Sequence, residues 1–275
     1  MPWSQMGEKP QMSNRKYVSV PLSLAVVALL ALSGSVVADT GKITANIANG
    51  KNIFTNGKDA VPACMTCHGE NAMGMDAMGS PRLASVGYAY IVKQLSDFAA
   101  DRRTDTTMNV MNGFAKALTE QDIRDLAAYE NTLEKAGAPP DLSDLKALKA
   151  AGTAVGEPYL GKSLVLYGKT FVQDGITHNV SACSSCHGYD GRGSDPIYPK
   201  IGQQKYVYLT NQLKKWHDET RTNDPMGQMR AIAKNLTQDD INNAAAYLSQ
   251  APATTMGNSF MPDNQTTLEN VVITK

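Results

Sequence analysis

All four cysteines of this 275-residue chain fall in two short clusters. Cys64 and Cys67 are followed at once by His68, and Cys183 and Cys186 by His187. Two thiols three positions apart can serve as a redox dithiol, half a zinc site, a disulfide or the attachment point of a c-type haem. The histidine directly after the second cysteine decides between them. A dithiol catalyst has no use for it, and no strand–helix–strand pattern surrounds either cluster. A shared zinc site would have to join clusters 119 residues apart. A disulfide over so short a loop closes little chain entropy. In Cys-x-x-Cys-His, by contrast, the two thiols reach two vinyl groups on one edge of a haem and form thioethers, and the histidine is held beneath the iron. The reading is therefore two covalently attached haem c groups, with Cys64, Cys67, Cys183 and Cys186 as thioethers and His68 and His187 as proximal ligands.

The sixth position on each iron needs a further residue. His178 and His217 are the only other histidines, and both lie in the second half of the chain. A bis-histidine design common to both sites is thereby excluded. Met108 and Met111 recur as Met226 and Met229, each pair about 40 residues after its histidine. A loop at that point can fold across the open face of a haem. From the residues alone, Met108 and Met111 are equivalent candidates, as are Met226 and Met229, and His217 stays an alternative for the second iron.

The elements that must position these groups also repeat. Downstream of the clusters the offset is 118: Pro81 with Pro199, Tyr88 and Tyr90 with Tyr206 and Tyr208, Gln94-Leu95 with Gln212-Leu213, Arg103-Thr104 with Arg221-Thr222, and Leu118-Thr119 with Leu236-Thr237. A register this long indicates duplication of a unit of about 100 residues. Within each unit the apolar spacing predicts helices over 47–54, 88–98 and 119–133, matched by 160–167, 206–216 and 237–248. Thr119 with Asp122, and Thr237 with Asp240, start the last helices as capping boxes. Gly50 and Gly161 sit inside the first helices, where glycine costs about 1 kcal/mol against alanine and marks close packing. No alternating run argues for a sheet. The fold class expected is all-α, two small helical domains in tandem over 39–133 and 157–250. A Gly- and Pro-punctuated linker over 134–156 has a short helix in its middle, at 144–151. The extension 251–275 is read as wrapped on the surface or disordered.

Composition narrows the function. Lys plus Arg is 26 and Asp plus Glu is 26, so the basic excess of a nucleic-acid binder is missing. Lys9, Arg15 and Lys16 precede an uncharged, mostly apolar run from Val18 to Ala38. This predicts a signal peptide over 1–38, cut after Ala38, with an uncleaved membrane anchor as the alternative. Pro21 and Gly34-Ser35 favour cleavage. The first 38 residues carry a net +2, leaving −2 for the rest. The expected location is the periplasm, and membrane association would come only through an uncleaved N-terminus. Lys93, Lys205, Lys214 and Lys215 are read as steering charges for docking or as solvated helix faces.

With these residues in place, each half resembles a class I cytochrome c domain, and the pair resembles the two-haem cytochrome c4 family. The likeness covers roughly residues 45–250. It rests on Cys64-Met65-Thr66-Cys67-His68-Gly69 and Cys183-Ser184-Ser185-Cys186-His187-Gly188, on Tyr88-x-Tyr90 with Gln94-Leu95 and Tyr206-x-Tyr208 with Gln212-Leu213, and on Arg103-Thr104-Asp105 and Arg221-Thr222-Asn223. The resemblance implies that Met111 and Met229, seven residues before Leu118 and Leu236, are the axial ligands. It also implies that the carbonyls of Pro81 and Pro199 accept the Nδ1 protons of His68 and His187. The long inter-domain stretch, the Met-rich loop 71–79 and the segment 251–275 depart from the family pattern. An iron closed by His and Met moves one electron and leaves no room for substrate. The expectation is a non-enzymatic periplasmic electron carrier. The resemblance implies redox protein partners: a quinol-oxidising complex or dehydrogenase as donor and a terminal oxidase or reductase as acceptor. The alternative is a two-haem redox enzyme, or its electron-transfer subunit, of peroxidase or thiosulfate-oxidising type with one open or unusually ligated haem. The residues leave the oligomeric state open.

Overall fold

A computed structural model describes residues 43–133, 140–252 and 271–274. The first half opens with strand β1 (Ile43–Asn46) and helix α1 (Ile47–Asn56). It passes through a single turn, α2 (Met65–His68), and continues with α3 (Tyr88–Ala99), α4 (Met111–Lys116) and α5 (Glu120–Asn131). Helix α6 (Ser143–Ala150) occupies the inter-repeat stretch. The second half runs through α7 (Pro158–Tyr167), β2 (Lys169–Gln173), β3 (Ile176–Val180), α8 (Ser184–His187), α9 (Tyr206–His217), α10 (Gln228–Ala233) and α11 (Gln238–Ser249). The last described element is β4 (Val271–Thr274). The signal-peptide expectation for 1–38 lies outside the described residues. Among the described residues no helix is long and apolar enough to cross a membrane.

The architecture is helical, and the helices predicted from periodicity form within two or three residues of their expected limits. Local chemistry explains where the long C-terminal helix of each half begins. The Thr119 hydroxyl accepts from the Asp122 N–H, and the Asp122 carboxylate accepts in return from the Thr119 N–H; Thr237 and Asp240 do the same. Two orphan donors are thus satisfied at each helix start. The apolar faces then close two cores. In the first half, Ile53, Phe54 and Leu126 are buried together, with the Phe54 and Tyr129 rings 5.5 Å apart. In the second, Leu164 and Val165 meet Ala245, Tyr247 and Leu248. Leu145 of α6 is buried in this second core, so the helix of the linker packs with the second half.

The two halves differ by a ribbon that the periodicity did not predict. In the first half, Lys58 and Val61 form one isolated bridge. In the second, the equivalent place is an antiparallel ladder from Lys169↔Val180 to Gln173↔Ile176. The turn is Asp174-Gly175, with φ of 50° and 75°. Both residues lie in the left-handed region that a two-residue hairpin turn requires, and Asp-Gly between β-branched runs is its sequence signal. The same ion pair anchors both versions, Lys58 to Asp122 and Lys169 to Asp240. A second departure concerns the C-terminal extension: β4 lies parallel to β1, with Ile43 opposite Val271. Residues 253–270 of that extension lie outside the described residues.

Gly50 and Gly161 hold the terminal helices of each half together. A Cβ on Gly50 would lie 2.0 Å from the Asp125 carbonyl oxygen, and one on Gly161 would lie 1.9 Å from that of Asn243. Backbone lies against backbone here, with no flexible neighbour to yield. Gly50→Ala and Gly161→Ala are each expected to lower stability by about 1–3 kcal/mol or more. Urea unfolding of the holoprotein checks this, and an unchanged midpoint in either variant would contradict the close-contact account.

Candidate functional site

The single turns α2 and α8 each carry one cysteine, follow directly on the other, and end in a buried histidine, with both cysteines on the wall of a crevice. Nδ1 of His68 lies 2.9 Å from the Pro81 carbonyl, and Nδ1 of His187 lies 2.8 Å from that of Pro199. A carbonyl only accepts, so Nδ1 carries the proton, and Nε2 is left as the nitrogen that can ligate a metal. Burial disfavours the charged form of both rings and holds both pKa values below the ordinary histidine range. Neutral imidazole is the form a metal requires. Behind the first site, the Ser80 hydroxyl donates to the Cys67 carbonyl and fixes the turn.

The four cysteines are not paired with one another. Burial, followed by the charge of Glu130, pushes the Cys64 thiol up to about 12, and burial pushes Cys183 up to about 11. Such thiols stay protonated at neutral pH, which does not suit a redox dithiol or a thiolate zinc site. Among the described residues no group of three or more His, Cys, Asp or Glu side chains could hold a metal ion.

Both crevices open into one continuous cleft of about 460 Å³, bordered by all four cysteines, by His68 and His187, and by matched apolar residues such as Leu95, Leu118, Leu213 and Leu236. Met108, Met111, Met226 and Met229 all border it, but unequally. Met108 is 44% exposed and Met226 is 90% exposed, whereas Met111 and Met229 are half-buried. His217 does not border the cleft. It lies at the exposed end of α9, with Nδ1 2.8 Å from Asp218. His178 stacks on Phe171 in the ribbon at 5.1 Å.

Where the halves meet, three side chains from each side interlock. Arg103 reaches Gln94 of its own half at 2.7 Å, and Gln212 and the Tyr208 hydroxyl of the other half, both at 3.0 Å. Arg221 mirrors it, bonding Gln212 at 2.7 Å, Gln94 at 2.8 Å and the Tyr90 hydroxyl at 3.3 Å. Each guanidinium also lies over an aromatic ring of its own half, Arg103 on Phe98 and Arg221 on Trp216, at 4.5 and 4.1 Å. Both arginines are buried, at 7% and 5% exposure, and both border the cleft. Burial and the charge of Arg103 lower the Arg221 pKa, although the guanidinium stays charged. Burial tends to raise the Tyr208 hydroxyl, but Arg103 and Arg221 overcome it and bring it down to about 8.

These features test whether haem fits. The hydrogen bonds of the two buried guanidinium groups run to neutral oxygens, and buried charge calls for a counter-charge. The Trp216 indole N–H is buried on the cleft wall without an acceptor. A group bringing carboxylates, an apolar macrocycle and a metal with a free coordination site for Nε2 answers all three needs. The residues present fit haem at both sites.

The lysines behave differently from the sequence expectation. Lys205 is buried and pairs with Asp144 of α6 at 2.9 Å, while Asp144 also accepts from the Asp76 N–H at 3.0 Å. Lys93 binds Asp97 and, across the halves, the Asn223 carbonyl at 2.7 Å. Lys215 reaches Thr107 of the other half at 2.9 Å. Lys93 and Lys215 reach across the halves and Lys205 reaches the linker helix, whereas Lys214, paired with Asp218 at the end of its own helix, is a solvated-face residue. The sequence reading also missed the arginine–glutamine lattice. Its signal was present as repeated Gln-Leu and Arg-Thr pairs, but partners across a duplicated interface are not visible in a linear pattern.

Glu130 is a further residue that the motifs did not mark. It borders the cleft beside Cys64, is buried, and leaves Oε2 without a partner; the second half has Leu248 in its place. Burial alone raises its pKa to about 8 from an ordinary 4.5. The folded state therefore holds a proton that the unfolded chain releases above about 4.5. The associated stability is complete below that value and is lost as pH rises toward about 8. Glu130→Leu is expected to stabilise the holoprotein by about 1–3 kcal/mol, with the gain larger at pH 8 than at pH 5. Urea midpoints at the two pH values check this, and an equal gain at both would contradict the titration account.

Comparison with known proteins agrees with this geometry. The cytochrome c family pattern matches residues 47–134 and 166–252, once in each half. A protein of Stutzerimonas stutzeri named thiosulfate dehydrogenase electron acceptor is 35% identical over 84% of this chain and 95% of its own length. Cytochrome c4 of Thiocapsa roseopersicina is 32% identical, over 67% of this chain and 85% of its own. The solved thiosulfate dehydrogenase TsdBA of Marichromatium purpuratum superposes with a TM-score of 0.63 at 28% identity, over 78% of this chain and 42% of that one. Two buried histidines on matched turns, a family pattern that matches once in each half and a likeness to a relative over 84% of this chain lead to one assignment: the chain belongs to the cytochrome c family, as a two-haem electron carrier of the cytochrome c4 type.

Proposed function

We propose that this protein is a periplasmic one-electron carrier that takes electrons from a thiosulfate dehydrogenase and delivers them to a membrane respiratory complex or a terminal oxidase or reductase. The cleft into which both crevices open supports the carrier reading, because it brings the two sites to one junction, lined by Arg103 and Arg221. The likeness to a thiosulfate dehydrogenase electron acceptor over 84% of this chain supports the choice of donor. The haem-bearing units are 39–133 and 157–250, joined by 134–156. Residues 1–38 serve as the export signal.

In this reading Cys64, Cys67, Cys183 and Cys186 carry the two haems. His68 with Met111, and His187 with Met229, would hold the two irons. The half-buried positions of Met111 and Met229 favour them over the exposed Met108 and Met226. Bound haem supplies an iron couple that changes by one electron. The chain does the rest. Pro81 and Pro199 fix the imidazole planes and keep Nε2 unprotonated. Arg103 and Arg221 supply positive charge between the sites, and Trp216 supplies an unused donor. The leucine walls exclude water, which keeps reorganisation small. Met111 and Met229 would supply the second protein ligand at each site and leave no position for oxygen or small substrates. Docking with partners should be weak and brief, because a carrier must dissociate.

Two measurements test the proposal. Oxidised holoprotein should show the far-red sulfur-to-iron absorption band at the strength of two methionine ligands, and reduced holoprotein should not bind carbon monoxide. Met111→Ala or Met229→Ala should each remove about half the band and open one carbon monoxide site, whereas Met108→Ala and Met226→Ala should do neither. Purified thiosulfate dehydrogenase with thiosulfate should reduce both haems. A wild-type protein that binds carbon monoxide would overturn the closed-site carrier, and failure of reduction would overturn the choice of donor.

A further inference from the structure

The loop that carries Met111 converges on one carboxylate. Asp105 Oδ1 accepts from the N–H groups of Thr107 at 2.9 Å and Met108 at 3.3 Å. Its Oδ2 accepts from those of Val110 at 3.2 Å and Met111 at 3.4 Å. Asn112 closes the arrangement from the other side. Its Oδ1 accepts from the Asp105 N–H at 2.8 Å, and its Nδ2 donates to the carbonyls of Phe98 at 3.0 Å and Arg103 at 2.8 Å. The residues on either side of Met111 are thereby tied to the end of α3. Hydrogen bonds to an ionised acceptor are the stronger kind, and four of them hold a segment that helix geometry alone would leave loose.

The second half does this with different residues. Counting by the repeat offset of 118, Asp105 corresponds to Asn223, Thr106 to Asp224 and Asn112 to Arg230. There Asp224 accepts from the Arg230 N–H at 3.0 Å and pairs with its guanidinium at 2.8 Å. Asn223 turns instead toward Gln94 and Asp97 of the first half, at 3.1 and 2.7 Å. The acid has moved by one position, and an ion pair takes the place of the four amide bonds.

We propose that Asp105 and Asn112 are positioning residues that hold the Met111 thioether on the first iron, and that Asp224 with Arg230 serves Met229 on the second. This rests on Met111 and Met229 being the axial ligands. Groups of this kind, one step behind the ligand, typically change a ligand's hold on its metal about 10–100-fold when removed. The clamp belongs to the axial loop and touches neither the thioether cysteines nor the proximal histidine, so its removal leaves haem attachment intact.

The experiment uses holoprotein carrying Met229→Ala, in which the remaining far-red band reports only on the first iron. Imidazole is titrated as a competitor for the methionine position, and loss of the band is followed. Asp105→Ala and Asn112→Ala are each expected to lower the imidazole concentration at half-loss by about 10–100-fold, with haem content unchanged. Asp105→Asn, which copies Asn223, replaces Asp105→Ala if that variant fails to assemble. Titration at the parent concentration in both clamp variants would overturn the proposal while leaving the ligand assignment standing. A band that survives Met111→Ala in the same background would overturn the ligand assignment and the proposal with it.

Discussion

Two buried guanidinium groups, Arg103 from the first half and Arg221 from the second, share the carbonyl oxygens of Gln94 and Gln212. Like charges brought this close in a buried place repel, and neutral amide oxygens relieve only part of the repulsion. Asp105 meets part of the remainder, and carboxylates of a group bound in the cleft would meet more. The same two residues that lock the halves together thus make the assembled protein require an acidic, largely apolar cofactor at that junction. Docking of the halves and cofactor binding are one electrostatic problem here. The lysines at the interface follow the same logic, since each is used on a carboxylate, carbonyl or hydroxyl rather than left to solvent.

Duplication has preserved the scaffold and diverged at the sites. Each half keeps a capping box, a glycine with backbone lying directly on it, and a lysine–aspartate pair at the crossing before the first cysteine. Around the clefts the repeats differ. A buried acid, Glu130, stands where the other half has Leu248, and Phe98 stands where it has Trp216. Iron potentials respond to burial, nearby charge and hydrogen bonding. Burial, charge and unused hydrogen-bond donors thus differ between the two crevices, with Glu130 in the first and Trp216 in the second.

Much of this was legible in the linear chain because it depends on local rules. The Cys-x-x-Cys-His clusters name their chemistry through residue type and spacing, and Thr119 and Thr237 announce helix starts through a hydrogen-bond pattern three residues long. Gly50 and Gly161 stand out because glycine in a helix needs a reason, and the reason was close packing. The ribbon at 169–180 was equally local in origin, since Asp174-Gly175 supplies the turn; it was missed because attention to helical period hid an alternation of strand type. The axial choice within each methionine pair could not be made from residue type or repeat position, because both members repeat; only the resemblance favoured one. Burial in the folded loop supplies a physical distinction.

The sequence by itself determined the all-α tandem fold, the two attachment turns and their proximal histidines, because each follows from contacts within one repeat or one short segment. Only the tertiary structure decided that Lys93 and Lys215 bond across to the partner half, that Arg103 and Arg221 are buried where the halves meet, and that both crevices open into one cleft. Those facts arise from contacts between residues more than 100 positions apart. A duplicated chain gives both members of each pair the same local signature. Whether such a pair faces solvent or its own copy is set by how the halves dock, and no local pattern encodes that.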